Sequence, residues 1–193
     1  MPGSRRLVLL AGPSGSGKTR LARRSGLPTV RLDDFYHDAD HPGLPRTLGI
    51  VDWDDVASWN AAAAIEALDE LLATGRTRTP EYSIPESRKV GDKELVLPED
   101  ATVVLAEGIF AVEALPLIRA AGLDASGIYL DRPGILVARY RLRRDLRQHR
   151  KSVWVLLRRG LALWRAQGAL KRRALANGFD ALSYSDAERR LTE

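Results

Sequence analysis

The segment GPSGSGKT at residues 12–19 constrains the fold of this chain more than any other feature. It fits the pattern G-x-x-x-x-G-K-[ST] at every required position. An apolar, strand-like run, Arg5–Ala11, precedes it, and a helical stretch from about residue 18 to residue 25 follows it. In that context the glycines let the backbone approach an anion, and the N–H groups of the loop and of the helix start point at it. A glycine-rich connection without a ligand is the alternative, but the strand–loop–helix order favours a phosphate-binding loop.

The side chains of this loop predict ATP and Mg²⁺ as cofactors. Lys18 is long enough to reach the β and γ phosphates, and the Thr19 hydroxyl can bind Mg²⁺. We expect the nucleotide to be bound by the whole loop: Gly12, Pro13, Ser14, Gly15, Ser16, Gly17, Lys18 and Thr19.

Strand-like and helical patterns alternate along the rest of the chain. Apolar runs at Thr29–Asp33, Thr102–Ala106 and 127–130 predict strands, and residues 55–73 and 109–121 predict helices. Residues 76–98 break the helical pattern and predict a β-hairpin or loop. Such alternation is typical of βαβ units. We therefore predict an α/β protein with the P-loop NTPase fold: a three-layer α/β/α arrangement with a mainly parallel sheet, a small β-hairpin excursion and a helical lid. At 193 residues, the chain is expected to form one domain over residues 1–193.

Composition excludes several functional classes. The chain has no cysteine, which excludes a disulfide scaffold, thiolate catalysis and cysteine metal sites. No apolar run approaches the roughly 20 residues that a membrane span needs. We expect no membrane span and a cytoplasmic location.

Positive charge is concentrated in the second half of the chain. The net charge is +5, but 13 of the 30 Lys and Arg residues and only one acid lie between Arg139 and Arg173. Such a patch indicates an anionic partner, which could be phosphate groups, nucleic acid or anionic lipid. We expect a small-molecule substrate rather than nucleic acid, and the patterns leave a homo-oligomer open.

Four further segments allow a choice among phosphate-binding-loop proteins. A GTPase is expected to carry an Asn/Thr-Lys-x-Asp string that binds guanine, and this chain has none. Four segments resemble, in the same order, segments of the uridine/cytidine kinase family and its phosphoribulokinase-like relatives. They are LDDFYHD at 32–38, DWDDVASW at 52–59, LAEGIF at 105–110 and RLRRDLRQHRK at 141–151. The resemblance implies transfer of the γ-phosphoryl group of ATP to the 5′-hydroxyl of a nucleoside, with uridine or cytidine as the leading acceptor.

The resemblance also assigns catalytic and metal-binding roles. Asp33 aligns with the acid that accepts the proton of the attacking hydroxyl, and Asp34 beside it is the rival. Both acids could instead cap a turn. Glu107 ends an apolar strand, where binding Mg²⁺ together with Thr19 accounts for its charge better than a solvated strand end does.

On the acceptor side the resemblance is weaker. It implies substrate contacts by Asp33, Tyr36, Asp54, Tyr82 and Arg88. Asp54 could equally cap the predicted helix at 55–73. Ser87 stands where the family has a base-reading histidine. Pantothenate or a phosphosugar therefore remains an alternative acceptor.

The basic second half supplies the expected lid, about residues 139–151. Arg144, like Lys18, is predicted to be catalytic. Arg143 and Arg147 are predicted to contact the nucleotide, and Arg141 belongs to the same lid. A basic helical region is predicted for about residues 152–193. Its helix at Val153–Leu175 could pack on the sheet with its basic side outward, or bind a membrane or polyanion. If the helix binds a membrane or a polyanion, the chain could be an ATP-dependent binding or regulatory protein instead of a kinase. The tail from Ser183 carries no specific signal.

Overall fold

The computed structural model describes residues 5–13, 15–47, 49–132 and 168–192. Within these ranges the strands are β1 (Arg6–Ala11), β2 (Thr29–Arg31), β3 (Arg46–Thr47), β4 (Ile50–Val51), β5 (Arg76–Ser83), β6 (Arg88–Val96), β7 (Val103–Glu107), β8 (Ala125–Leu130) and β9 (Phe179–Leu182). The helices are α1 (Lys18–Ser25), α2 (Ala61–Thr74), α3 (Ala111–Ala120), α4 (168–176) and α5 (Tyr184–Thr192), with 3₁₀ turns at Leu32–Asp34 and Val56–Ser58. No helix in these ranges is long and apolar enough to cross a membrane.

Five strands form the main sheet in the order β2-β7-β1-β8-β9, and every neighbouring pair is parallel. Alternate residues of the central strand β1 face opposite sides of this sheet. Leu7 and Leu9 lie in one buried cluster with α2 and α3, whereas Val8 and Leu10 lie in a second cluster with α1 and α5. The three-layer α/β/α fold with a parallel sheet is confirmed.

The predicted β-hairpin excursion is also present. Strands β5 and β6 pair antiparallel, with a register shift between Glu81 and Tyr82. Three hydrogen bonds join the hairpin to the segment after β2. The Tyr82 hydroxyl donates to His37 O at 3.1 Å, the Lys89 N–H donates to Asp38 Oδ1 at 2.7 Å, and the Ala39 N–H donates to Ser87 O at 2.8 Å. The hairpin is therefore held beside the carboxyl end of β2.

The predicted helix at 55–73 begins later than expected. Asp55 accepts a hydrogen bond from the Ala57 N–H at 2.8 Å and starts a 3₁₀ turn instead. Trp59 then leaves the helical path, because its ring is buried (3% exposed) and its Nε1–H donates to Leu32 O at 3.0 Å. Asn60 caps α2 by accepting from the Ala63 N–H at 3.1 Å. The alternative reading of Asp54 as the N-cap of this helix is wrong.

Two further boundaries differ from the prediction. Strand β2 ends at Arg31, so Asp33 lies on the 3₁₀ turn after it rather than on the strand. In the region 152–193, predicted to be helical, Phe179–Leu182 forms strand β9, which pairs with β8. The tail from Ser183 has a structural role as well: the Ser183 hydroxyl accepts from the Asp186 N–H at 3.2 Å at the start of α5. Residues 152–167 lie outside the described part of the chain.

Candidate functional site

The glycine-rich loop joins β1 to α1 at the carboxyl edge of the sheet. Two glycines are required there by the backbone. Gly12 has φ +145°, and a Cβ on it would lie 3.0 Å from Ser16 Oγ and 3.2 Å from Leu130 O. Gly17, directly before α1, has φ +97°. A side chain at either position would strain the loop, so its shape depends on the glycines that the motif requires.

The loop fits a phosphate group. Ser16 is fully buried, and its hydroxyl has no hydrogen-bond partner among the described residues. A buried polar atom without a partner is costly, so a ligand oxygen or water accounts for it. The Lys18 ammonium lies across the loop and donates to Gly12 O at 2.8 Å. Ser14 lies outside the described residues.

The predicted Mg²⁺ ligands are in contact. The Thr19 hydroxyl donates to Glu107 Oε1 at 3.0 Å, where Glu107 ends β7, the neighbour of β1 in the sheet. No group of three or more His, Cys, Asp or Glu side chains that could hold a metal occurs in the described ranges. One hydroxyl and one carboxylate suit Mg²⁺, which keeps several waters and shares phosphate oxygens in such sites. When bound, Mg²⁺ supplies positive charge that offsets the charge of the phosphates.

Asp33 lies in the same cleft as this pair. A cleft of about 1010 Å³ is lined by Lys18, Thr19, Glu107 and Asp33. Asp33 Oδ1 accepts a hydrogen bond from the Ile109 N–H at 2.8 Å. Burial raises the pKa of the Asp33 carboxyl above 3.8, although the Ile109 hydrogen bond and the charge of Lys18 act in the opposite direction. A carboxylate with a raised pKa, held beside the phosphate loop, is suited to accept a proton.

Gly108 makes this position of Asp33 possible. A Cβ on Gly108 would lie 2.6 Å from Asp33 Oδ1 and 2.8 Å from Leu32 Cβ. The rival acid, Asp34, instead pairs with Arg31 at 3.5 Å and does not line the cleft. Of the two acids, the geometry therefore favours Asp33.

Aromatic side chains surround Tyr36, three residues after Asp33. Its ring centroid lies 5.5 Å from that of Trp53, 5.6 Å from Tyr82 and 5.7 Å from Phe110. We call these four residues the aromatic cluster. Burial and the nearby charges of Asp33 and Asp54 raise the pKa of Tyr36, and burial raises the pKa of Tyr82 to about 12. Both hydroxyls therefore stay neutral at physiological pH and donate hydrogen bonds to carbonyl groups of the chain.

The two remaining acceptor-side residues are placed differently. Asp54 is exposed at the edge of the aromatic cluster, near enough to Tyr36 to affect its pKa. Arg88 is exposed and makes two hydrogen bonds to Glu86 Oε2, at 3.1 and 2.9 Å. Of the five acceptor-side residues, Asp33 alone lines the cleft; Tyr36, Asp54, Tyr82 and Arg88 do not. The predicted lid, 139–151, with Arg141, Arg143, Arg144 and Arg147, lies outside the described residues.

Sequence reasoning missed two groups of residues around the site. Trp53 and Phe110 belong to the aromatic cluster, and their positions beside Asp54 and in the LAEGIF segment could have indicated this. Arg132 and Tyr184 line the cleft from the other side. Nothing in the sequence signals the second pair, because their contact depends on the pairing of β8 with β9.

A yeast protein is similar in sequence to most of this chain. No protein-family model matches the chain. A uridine kinase of Saccharomyces cerevisiae is 30% identical over 148 residues, which make up 72% of this chain and 29% of the yeast protein. The chain thus spans less than a third of the length of that relative.

A solved structure shows a similar fold. A candidate fructose transport system kinase from Silicibacter sp. TM1040 superposes with a TM-score of 0.58 at 20% identity, covering 93% of this chain and 88% of that protein. A candidate uridine kinase from Bacillus stearothermophilus has a TM-score of 0.48 at 20% identity, covering 71% of this chain and 76% of its own. With a parallel sheet, a phosphate-binding loop and a 30% identical yeast relative, the chain belongs to the uridine kinase-like family of P-loop kinases.

Proposed function

We propose that this chain is an ATP- and Mg²⁺-dependent kinase whose acceptor is the 5′-hydroxyl of a nucleoside, with uridine or cytidine as the leading substrate. One observation carries the proposal: Asp33 shares a cleft with Lys18, Thr19 and Glu107. A proton-accepting group and the phosphate- and metal-binding groups thus face one cleft, and Asp33 is near enough to Lys18 for the charge of Lys18 to lower its pKa.

Each residue has a defined task in the proposed reaction. Asp33 accepts the proton of the acceptor hydroxyl while the hydroxyl oxygen forms a bond to the γ-phosphorus of ATP. The bond between the γ-phosphorus and the bridging β-phosphate oxygen breaks, and ADP leaves. Lys18 and the loop N–H groups hold the phosphates. Thr19 and Glu107 hold the metal. The lid arginines, Arg144 first, are proposed to stabilise the charge that develops on the transferred group.

The aromatic cluster supports a nucleoside as the acceptor. Tyr36 lies near the charge of Asp33 and contacts Trp53 and Tyr82, and half-buried aromatic rings of this kind can stack on a planar base. Asp54 at the edge of the cluster can accept hydrogen bonds from two ribose hydroxyls. Arg88 would have to leave Glu86 to contact the substrate. Because Ser87 replaces an imidazole, pantothenate and phosphosugars belong in the test.

The test is ADP release by the purified chain with Mg²⁺-ATP, alone and with each of a panel: uridine, cytidine, other nucleosides, pantothenate and phosphosugars. We expect stimulation by uridine or cytidine, with the 5′-monophosphate as product. Asp33→Asn should lower kcat by about 10²- to 10⁴-fold, the usual contribution of a general base. The affinity for ATP should stay within about threefold. Asp34→Asn is the matched control and should retain most activity, because Asp34 does not line the cleft.

Three outcomes would contradict parts of the proposal. Stimulation by another acceptor alone would replace the substrate and keep the chemistry. Equal losses in the Asp33 and Asp34 variants would remove Asp33 from its role. Tight ATP binding without stimulation by any acceptor, together with salt-dependent binding of a polyanion, would favour the ATP-dependent binding protein.

A further inference from the structure

The main cleft continues beyond Asp33 and Glu107, between α1 and β2. Its lining there includes Arg20 and Arg23 of α1 and Arg31 of β2, the outermost described strand on this side of the main sheet. We call this part of the cleft, lined by Arg20, Arg23 and Arg31, the arginine groove. The proposed reaction assigns no task to any of these three residues.

Secondary structure places arginines on both walls of the arginine groove. Val30 of β2 is buried in the cluster with α2 and α3, so Arg31 beside it points to the opposite face of the sheet, which α1 covers. On α1, Arg23 lies one helical turn after Thr19, whose hydroxyl contacts Glu107 of β7, the neighbour of β2. Arg23 therefore projects from α1 on the side of β7 and β2. The two arginines thus line the groove from opposite sides.

The described part of the chain does not neutralise the charge of the arginine groove. Five basic side chains line the whole cleft, against two acidic ones. Arg20 and Arg23 form no ion pair with any described residue. Arg31 pairs with Asp34 at 3.5 Å, but the Arg31 side chain remains 60% exposed, and exposed ion pairs of this kind are weak. The groove therefore favours an anionic ligand.

Phosphate is the anion that this arrangement fits best. A guanidinium group is planar and always charged, and its fork of N–H donors binds two oxygens of one phosphate. Arginines on opposite walls can therefore bind different oxygens of the same group. A phosphate monoester carries roughly two negative charges and three free oxygens, more than a carboxylate offers. The groove also has room for the rest of a small ester, because a Cβ on Gly26 in its lining would meet no described atom within 4 Å.

We propose that Arg20, Arg23 and Arg31 form a second anion-binding site, separate from the phosphate-binding loop, for the phosphate group of a small molecule. This inference goes beyond the proposed function, because the site binds its ligand while the loop holds a nucleotide and does not depend on which hydroxyl accepts the phosphoryl group. Arg31 lies two residues before Asp33, and both line the cleft. The site therefore adjoins the proposed point of transfer without forming part of it.

Solvation of three surface arginines without any ligand is the competing explanation, because most arginines are exposed in proteins. The two explanations differ in how phosphate binding depends on individual charges. A specific site loses affinity when one of its own arginines is removed and keeps it when an arginine elsewhere on α1 is removed. General attraction to a basic surface falls equally in both cases, because each change removes one positive charge.

The experiment is isothermal titration calorimetry of the full chain saturated with Mg²⁺ and the β,γ-imido analogue of ATP, so that the loop is occupied. The probes are ribose 5-phosphate and inorganic phosphate, with ribose and acetate as controls for the sugar and for a carboxylate. We expect ribose 5-phosphate to bind at least about tenfold more tightly than ribose or acetate. Arg23→Ala and Arg31→Ala should each weaken its binding by about tenfold, which corresponds to about 1.4 kcal/mol. Tighter binding of ribose 5-phosphate than of inorganic phosphate identifies an organic ester as the ligand, and equal affinities identify free phosphate.

Arg24→Ala is the matched control on the same helix. Arg24 pairs with Glu188 of α5 at 2.6 Å and does not line the cleft, so this variant should bind both phosphate probes with wild-type affinity. Equal losses in Arg24→Ala and Arg23→Ala would overturn the second site, as would the absence of phosphate binding to the nucleotide-saturated chain. Failure of the ATP analogue to bind would count against the proposed function alone. The same variants, titrated without nucleotide, would then decide on the second site by whether the loss is confined to Arg23→Ala and Arg31→Ala.

Discussion

At the scale of single residues, Gly108 is tightly packed against Asp33, the proposed general base. A Cβ on Gly108 would lie 2.6 Å from Asp33 Oδ1, too close for the carboxyl to keep its position. Gly108→Ala should displace the carboxyl and cost about 1–3 kcal/mol of stability, as overpacking does. A displacement of about 1 Å can lower kcat by roughly a hundredfold. Steady-state kinetics and urea denaturation measure the two effects.

A matched substitution separates this effect from a general cost of replacing glycine. Among the described residues, an added Cβ at Gly168 would meet the Arg172 guanidinium at 3.6 Å and nothing closer, so Gly168→Ala should leave activity and stability nearly unchanged. Wild-type kcat in Gly108→Ala would show that the position of Asp33 is not critical for the reaction.

Asp33 also predicts how stability depends on pH. Its pKa is raised by burial above 3.8, the value expected in the unfolded chain. The carboxyl therefore contributes most stability below pH 3.8, and this contribution is lost as pH rises through the raised pKa of the folded state. In the nucleotide-free protein, Asp33→Asn should raise Tm at pH 7, with each kcal/mol worth about 2–4 °C. The gain should vanish near pH 3.

Thermal denaturation followed by circular dichroism at several pH values measures this difference. The asparagine can still accept the hydrogen bond from the Ile109 N–H, so the comparison isolates the charge. A lower Tm for Asp33→Asn at pH 7 would mean that attraction to Lys18 and Arg31 outweighs the cost of burial.

At the scale of elements, the contact between β8 and β9 completes the sheet. Gly127 of β8 lies directly beside Phe179 of β9, and a Cβ on Gly127 would lie 2.5 Å from the Phe179 ring. Gly127→Ala should therefore destabilise the protein by about 1–3 kcal/mol. Phe179→Leu frees part of that space, so the double variant should be more stable than the two single losses predict when added. Urea denaturation of the wild type, the two single variants and the double variant measures the coupling energy. Additive losses of unfolding free energy would show that the added Cβ does not clash with the Phe179 ring.

Element boundaries show where local patterns are insufficient. The alanine-rich sequence predicted the body of α2 correctly, because apolar side chains recur at helical spacing there. Its start was predicted too early, since the burial of Trp59 against Leu32 breaks the helix before Asn60. That contact joins residues 27 positions apart, which a local window does not include.

At the scale of the whole molecule, nucleotide binding should stabilise the fold. A ligand at 100 times its Kd that binds only the folded chain adds about 2.7 kcal/mol. Mg²⁺-ATP at that concentration should raise Tm by roughly 5–10 °C. Lys18→Ala should remove most of this shift, because it deletes the positive charge that Lys18 holds at the phosphate-binding loop, where its ammonium group donates to Gly12 O. Thermal denaturation with and without nucleotide tests this, and no shift at millimolar ATP would count against a nucleotide site.

The sequence by itself determined the parts of this protein that depend on local residues. The strand–loop–helix at 12–19, the parallel α/β fold and the hairpin could be predicted, because glycine positions, apolar periodicity and strand ends follow from nearby residues. The roles of Asp33 and Glu107 stay predictions, and that of Asp33 drew on the family resemblance. Tertiary structure alone decided the rest. It placed Asp33 rather than Asp34 in the cleft, joined the Trp59 ring to Leu32, and brought Tyr184 to a loop 167 residues earlier in the chain. The physical reason is that these outcomes depend on parallel strands that meet only after long crossovers, and on packing contacts between residues distant in sequence.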